Sequence, residues 1–185
     1  MYENYRWLPE LTIPLASALC EQLPIPVGAK VLDFGCALGY LVKALRLLHR
    51  DAWGIDVSDY ALSQAPEDVK PYVRHADTTL PRDFDWVLAK DVLEHVRESE
   101  IDAVLGMLRH AGRRLWAAIP LGDGEKYVIP AYEEDVTHRI RRPIGWWCDR
   151  FIEADFYIES AVYRMPHIKE AWSDWPEGNG FFVCR

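Results

Sequence analysis

Short apolar runs alternate with helically spaced stretches along the first two thirds of the chain. In "LTIPLASALCEQL" (11–23) the apolar positions recur with helical spacing, which predicts a helix with Pro14 tolerable only in its first turn. "PIPVGA" then breaks the chain. "KVLDFG" reads as a buried strand, "YLVKALRLLHR" as a helix and "DAWGIDVS" as a second strand. "DYALSQAP" opens a short helix that Pro66 ends, "YVRHAD" is a short strand, and "FDWVLAKDVLEHV" runs from strand through turn to helix. "ESEIDAVLGMLRHAG" is amphipathic with Gly112 as its stop, and "RRLWAAIP" is a fifth strand. Strand–helix alternation of this kind predicts an α/β fold: a Rossmann-like, doubly wound, mostly parallel sheet with helices on both faces. The tail changes rhythm. "PIGWWCDRFIEAD" is helical, and "FYIESAVYRM" and "GFFVCR" are strands, which predicts seven strands with an antiparallel C-terminal strand at the sheet edge.

One hundred and eighty-five residues fit a single domain, 1–185, with an N-terminal helix and possible lid at 1–24 and a long polar loop at 120–145. Half the residues are hydrophobic, enough for a real core, and the formal net charge of −8 argues against a nucleic-acid partner. Cys20, Cys36, Cys148 and Cys184 form no C-x-x-C pair, so neither a zinc site nor a disulfide framework is expected. "MYENYRWLPE" lacks the basic and apolar regions of a secretory signal, and no stretch of 18 apolar residues occurs. The expectation is a cytoplasmic protein away from membranes, monomeric or homodimeric.

The chemistry begins at "KVLDFGCALGYLVKAL" (30–45). Asp33 closes the first strand, and Gly35, Ala37 and Gly39 follow at alternate positions before the helix. Small residues let the backbone approach a ligand, and a helix N-terminus offers free N–H groups. Asp56 ends the second strand 23 residues after Asp33, the separation at which a carboxylate takes the hydroxyls of a ribose. A dinucleotide would want G-x-G-x-x-G and no acid beside its pyrophosphate, which disfavours an oxidoreductase. An acid here suits a ligand with a cationic end joined to a nucleoside, such as S-adenosylmethionine. The alternatives are local: Asp33 as a helix cap, Asp56 as a turn opener, Asp77 with Thr78 as a cap.

At these residues the chain resembles the class I S-adenosylmethionine-dependent methyltransferases. "VLDFGCALGYL" (31–41) is similar to their first motif, "WGIDVSDYAL" (53–62) to the second, "HAD" (75–77) to the third and "FDWVLAKDVLEHV" (84–96) to the fourth. The resemblance implies roles. Asp33 would hold the methionine ammonium, with Gly35, Cys36, Ala37 and Gly39 beneath the methionine portion. Asp56 would take the ribose hydroxyls and Val57 lie against the adenine. Asp77 would accept from the adenine amino group, with Ala76 beside it, and Lys90, Asp91 and Leu93 would flank the sulfonium. Ala37 departs from a commoner glycine, at little cost if its φ is negative.

Transfer from a sulfonium needs alignment and a dry cavity, and a hydroxyl acceptor also needs a base. His138, in a D-x-[ST]-H segment (Asp135, Val136, Thr137, His138) that often faces the acceptor in related enzymes, is the candidate, either as base or as a structural residue. His95 is a weaker one. Arg139, Arg141 and Arg142 either grip an acceptor anion or pair with Glu133, Glu134 and Asp135. Trp146 or Trp147, with Trp172, Trp175 and Tyr132, could wall an aromatic pocket, and Tyr2, Tyr5 and Trp7 could form a lid or a packing strap. "AKDVLE" after the fourth strand is unlike the segment of exocyclic-amine methylases of nucleic acids. No Asp-Asn dipeptide of the metal-dependent catechol type occurs. The expected activity is metal-free methyl transfer to a small-molecule acceptor, at oxygen, yielding S-adenosylhomocysteine. The alternative is a non-catalytic S-adenosylmethionine-binding partner of another enzyme.

Overall fold

The computed structural model describes residues 5–77 and 83–185; Tyr2 and Thr78 lie outside them. Seven strands form one sheet in the order β3-β2-β1-β4-β5-β7-β6. They are β1 (Lys30–Phe34), β2 (Asp51–Asp56), β3 (Val73–His75), β4 (Phe84–Lys90), β5 (Gly112–Pro120), β6 (Ile158–Val162) and β7 (Asn179–Cys184). β1 through β5 pair in parallel, and β7 runs antiparallel to both β5 and β6. The predicted doubly wound sheet with an antiparallel C-terminal strand is the fold observed, with that last strand inserted between β5 and β6 rather than at the edge. Among the described residues no helix is long and apolar enough to cross a membrane.

Strand alternation divides the core. Val31, Leu88, Trp116, Ala118 and Phe181 face one side, under α1 (Pro9–Gln22) and α2 (Tyr40–Leu47). Their neighbours Leu32, Val87, Leu115, Ala117 and Phe182 face the other, under α4 (Ile101–Ala111) and α5 (Ile144–Glu153). The short α3 (Asp59–Ser63) is opened by the Ser58 hydroxyl, which accepts from Ala61 N–H at 3.2 Å.

Two local expectations are corrected. Helix α1 starts at Pro9, so Pro14 sits in its second turn, not its first. Pro14 is exposed, and the carbonyl it leaves without a helical donor can turn to solvent. Gly112 does stop α4, which ends at Ala111, but as the extended first residue of β5 with φ −147° and not as a left-handed cap. Glycine is required there for space, since a Cβ would stand 2.8 Å from Val87 Cγ2 and 3.1 Å from the Phe84 carbonyl.

The site is prepared by crossover geometry. The chain runs outward from β1 to β3, then returns to β4 on the other flank of β1, leaving a crevice above the carboxyl ends of β1, β2 and β4. Under this crevice Gly54 lets β2 and the β1–α2 turn come together: a Cβ at Gly54 would lie 2.7 Å from both Cβ and Sγ of Cys36. Gly54→Ala is therefore expected to lower the unfolding free energy by about 1–3 kcal/mol; urea denaturation monitored by circular dichroism reads the shift in midpoint.

Candidate active site

The crevice is a cavity of about 600 Å³. Its floor is the turn after β1. Gly35 N–H and Cys36 N–H both donate to the Ile55 carbonyl, at 2.8 and 2.9 Å, which folds the turn over the end of β2. Asp56 completes the clamp: Oδ2 accepts from Ala37 N–H and Oδ1 from Ser58 N–H, each at 2.8 Å. Asp56 is thus a turn brace, and a carboxylate has lone pairs left after two such bonds. The φ values of Gly35 (+76°), Ala37 (+48°) and Gly39 (+74°) are all left-handed. The sequence reading had Ala37 cheap on condition of a negative φ; the condition fails, and the alanine is strained.

Of the residues assigned to the donor site, Asp33, Gly35, Cys36, Ala37, Asp56, Val57, Lys90 and Asp91 line the cavity, and so does His138. Gly39, Ala76, Asp77 and Leu93 do not. Gly39 caps α2, where a Cβ would meet Val69 at 2.6 Å. Ala76 N–H donates to the Asp56 carbonyl at 2.9 Å. Asp77 is exposed, its carboxylate 2.6 Å from His75 Nδ1. Leu93 is fully buried in the core.

Electrostatics marks two ends. Burial pushes the Asp33 carboxyl up to about 7, Lys90 opposing and Asp56 adding. Burial also drives the Cys36 thiol well above its ordinary value, so it stays protonated and is no nucleophile. Asp91 is half-buried, and Lys169 and Lys90, both ion-paired to it, hold its carboxyl well below the usual range against the desolvation that opposes them. Lys169 in turn donates to Asn179 Oδ1 at 2.8 Å and to the Tyr132 hydroxyl at 3.0 Å.

The far end is built from the turn after β4 and the long loop. Arg139 N–H and Ile140 N–H both donate to the Glu94 carbonyl, at 2.8 and 3.0 Å, tying the two segments together. This brings His95 and His138 to a ring separation of 4.7 Å. His138 Nδ1 lies 2.7 Å from the Tyr132 carbonyl, which can only accept, so Nδ1 carries a proton and, in the neutral ring, Nε2 holds the lone pair. Thr137 donates its hydroxyl to Asp135 Oδ1 at 2.6 Å, so it accepts from His95 Nδ1 at 2.8 Å, and His95 Nε2 is also a free base. Burial, reinforced by His138, lowers the His95 pKa. Glu94, which the sequence reading passed over, is buried beside both rings and pushed up to about 8 by that burial, with Asp91 adding.

Other candidates fall elsewhere. Arg141 pairs with Glu133 at 3.1 Å and Arg142 with Glu98 at 2.7 Å, off the cavity. Trp147 is core and Trp146 lies beneath Arg142 and Arg150. Trp172 and Trp175 line a second cavity, and only Tyr132 of the aromatic group lines this one. Tyr5 also lines it, stacked on Tyr40 at 5.4 Å. Missed contributors are Glu94 and, behind the wall, Lys169 and Asn179, which no local motif announces.

Residues 9–116 match the family described as "Methyltransferase domain". No curated protein matches the chain. Among solved structures, an S-adenosylmethionine-dependent methyltransferase from Archaeoglobus fulgidus superposes with a TM-score of 0.72 at 12% identity, covering 95% of this chain and 96% of that one. A putative methyltransferase of Haloferax volcanii, in complex with the Trm112 methyltransferase activator, gives 0.71 at 16%, covering 94% and 88%. The glycopeptide N-methyltransferase MtfA complexed with sinefungin gives 0.66 at 11%, covering 100% and 90%. At these identities the superpositions establish the shared fold.

The strain at Ala37 is testable by itself. A left-handed alanine costs about 1–2 kcal/mol, and a glycine returns part of that to the flexibility of the unfolded chain. Ala37→Gly is expected to stabilise the protein by about 0.5–1 kcal/mol, read as a higher thermal midpoint.

Proposed function

The chain belongs to the methyltransferase-domain family, and from that premise we propose that it transfers the methyl group of S-adenosylmethionine to an oxygen of a small-molecule acceptor. The observation that carries this reading is that one cavity joins buried Asp33 and Asp56 at one end to two imidazoles at the other, each with its Nδ1 engaged and its Nε2 left over.

Asp33 faces the ammonium of the methionine part, and the bare backbone of 35–37 runs beneath it. Asp56, with lone pairs left over from its two turn bonds, takes the ribose hydroxyls. Val57, which stands 78% exposed on the rim, lies flat against the adenine. Lys90 and Asp91 sit where the sulfonium points. At the far end His138 Nε2 takes the proton of the acceptor hydroxyl as its oxygen attacks. The oxygen lone pair forms the O–CH₃ bond, the C–S pair returns to sulfur, and S-adenosylhomocysteine leaves as a neutral thioether. The methyl transfer is in line, so the protein's main contribution is orientation, a term of about 7–11 kcal/mol when complete.

Two outcomes test this. Asp33 must be ionised to hold a cation, and burial sets its free value near 7. Raising the pH through that value ionises it, so S-adenosylmethionine affinity is expected to rise up to about tenfold per pH unit below 7 and to level off above it. Calorimetry from pH 5.5 to 8.5 reads this, and Asp33→Asn should flatten the profile and weaken binding throughout. His138→Ala is expected to lower turnover by about 10²-fold or more with cofactor affinity within twofold. Equal turnover of the two proteins removes His138 from the chemistry. Tight cofactor binding with no transfer to any metabolite pool would instead make the chain a cofactor-binding partner of another enzyme.

A further inference from the structure

Glu94 is the least explained side chain in the molecule. It is fully buried, and neither carboxylate oxygen has a hydrogen-bond partner. An unpaired carboxylate in such a place costs several kcal/mol. The nearest ammonium groups do not answer it: Lys90 and Lys169 are both ion-paired to Asp91, and Lys169 is further engaged with Tyr132 and Asn179.

What Glu94 does face is the histidine pair. Its Oε1 is 3.9 Å from His95 Nε2 and 3.9 Å from His138 Nε2. These three atoms all lie within 4.8 Å of one another. That is too far for hydrogen bonds, and with each Nδ1 engaged elsewhere the Nε2 of either neutral ring is the nitrogen free to bind. Three ligand-type atoms face one point. A point equidistant from atoms so spaced lies no more than about 2.5 Å from each, a few tenths of an ångström beyond the ligand distances of a divalent ion.

We propose that Glu94, His95 and His138 bind one divalent transition-metal ion at the acceptor end of the cavity. The surrounding hydrogen bonds have the form that metal-binding histidines require. Each ring donates its other N–H to a fixed oxygen, His138 to the Tyr132 carbonyl and His95 to the Thr137 hydroxyl, which is itself held by Asp135. Two imidazoles and one carboxylate favour zinc, manganese, iron or cobalt over magnesium, which prefers an all-oxygen shell. All three residues line the cavity, so the ion keeps an open side for the acceptor.

The sequence reading expected no metal because it looked for cysteine pairs and an Asp-Asn dipeptide. Here the ligands come from segments 43 residues apart, joined by the bonds of Arg139 and Ile140 to the Glu94 carbonyl. The ion's task, though not its binding, rests on the methyl-transfer reading. An acceptor hydroxyl bound to it would ionise near neutral pH, its proton passing to water, and His138 would then serve as ligand instead of base.

The test needs neither cofactor nor acceptor. Protein stripped with chelator and dialysed is titrated calorimetrically with MnCl₂ and, separately, ZnCl₂. The expected result is one ion per chain for at least one of them, with the thermal midpoint raised in step. Glu94→Gln keeps the shape of the side chain and should weaken binding at least tenfold, as should His138→Ala, while His110→Ala on the exposed face of α4 should not. No binding of either ion, or binding that Glu94→Gln and His138→Ala leave unchanged while both variants keep the wild-type circular dichroism, overturns the proposal. Failure here leaves cofactor binding at Asp33 and Asp56 untouched, and failure of cofactor binding leaves a positive titration standing.

Discussion

The structure depends on a clamp at the ends of β1 and β2. The Ile55 carbonyl takes the N–H groups of Gly35 and Cys36, and the Asp56 carboxylate takes that of Ala37. These bonds fold three residues flat over the second strand. Everything above the sheet follows from that. The backbone is bare where a ligand can lie on it, α2 begins at Tyr40 directly behind, and Asp33 is sealed beneath the turn at 4% exposure. The clamp also explains why a strained alanine survives. Its amide is pinned by a charged acceptor, a bond worth about 1.5–3 kcal/mol, which exceeds the cost of its left-handed φ.

The donor half of the cavity was legible because it is local. "VLDFGCALGYL" and "WGIDVS" each place their acid at the end of one strand, and parallel pairing of β1 with β2 brings the two together without help from distant segments. The fold was legible for the same reason: short apolar runs report burial, and burial runs unbroken through the middle of β1, β4 and β5, as it does in strands covered on both faces. What failed was backbone detail. The sign of φ at Ala37, the extended Gly112 and the second-turn Pro14 depend on packing from neighbouring strands and on solvent exposure, which residue type alone does not encode.

The acceptor half was half legible. His138 could be picked out by its D-x-[ST]-H segment and His95, more weakly, by its place after the fourth motif, but Glu94 could not. An acid in "LEHV" reads as a solvated face of a helix, whereas the segment is a single 3-10 turn pressed under the long loop. Only the bonds from Arg139 and Ile140 to its carbonyl make Glu94 an interior residue. Lys169 and Asn179 were hidden more deeply, since Lys169 reaches Asp91 from the segment between β6 and β7 while Asn179 acts only by accepting from Lys169, and no short motif links them.

The charge pattern of the cavity makes a direction for the reaction cycle. Among the described residues Asp56 and Asp135 line it with Asp33, which ionises near 7, while Asp91 is matched by Lys90 and Lys169 and burial keeps Glu94 largely protonated at neutral pH. A low-dielectric cleft of that sign concentrates cations and repels anions. A sulfonium cofactor enters with the field. Once the methyl group has left, sulfur is neutral and that attraction is lost, while the contacts proposed for ammonium and ribose would remain. The difference is a Coulomb term that acts on substrate and not on product, so the acidic lining favours exchange of spent cofactor for fresh. On the proposed reading, an ion at Glu94 would cut the negative charge only at the acceptor end, where an oxygen acceptor losing its proton needs it reduced, and would leave the donor end acidic. The two ends of one cavity thus ask for opposite local potentials, and the separation of Asp33 and Asp56 from the Glu94 cluster, on different strands, is what allows the same small domain to supply both.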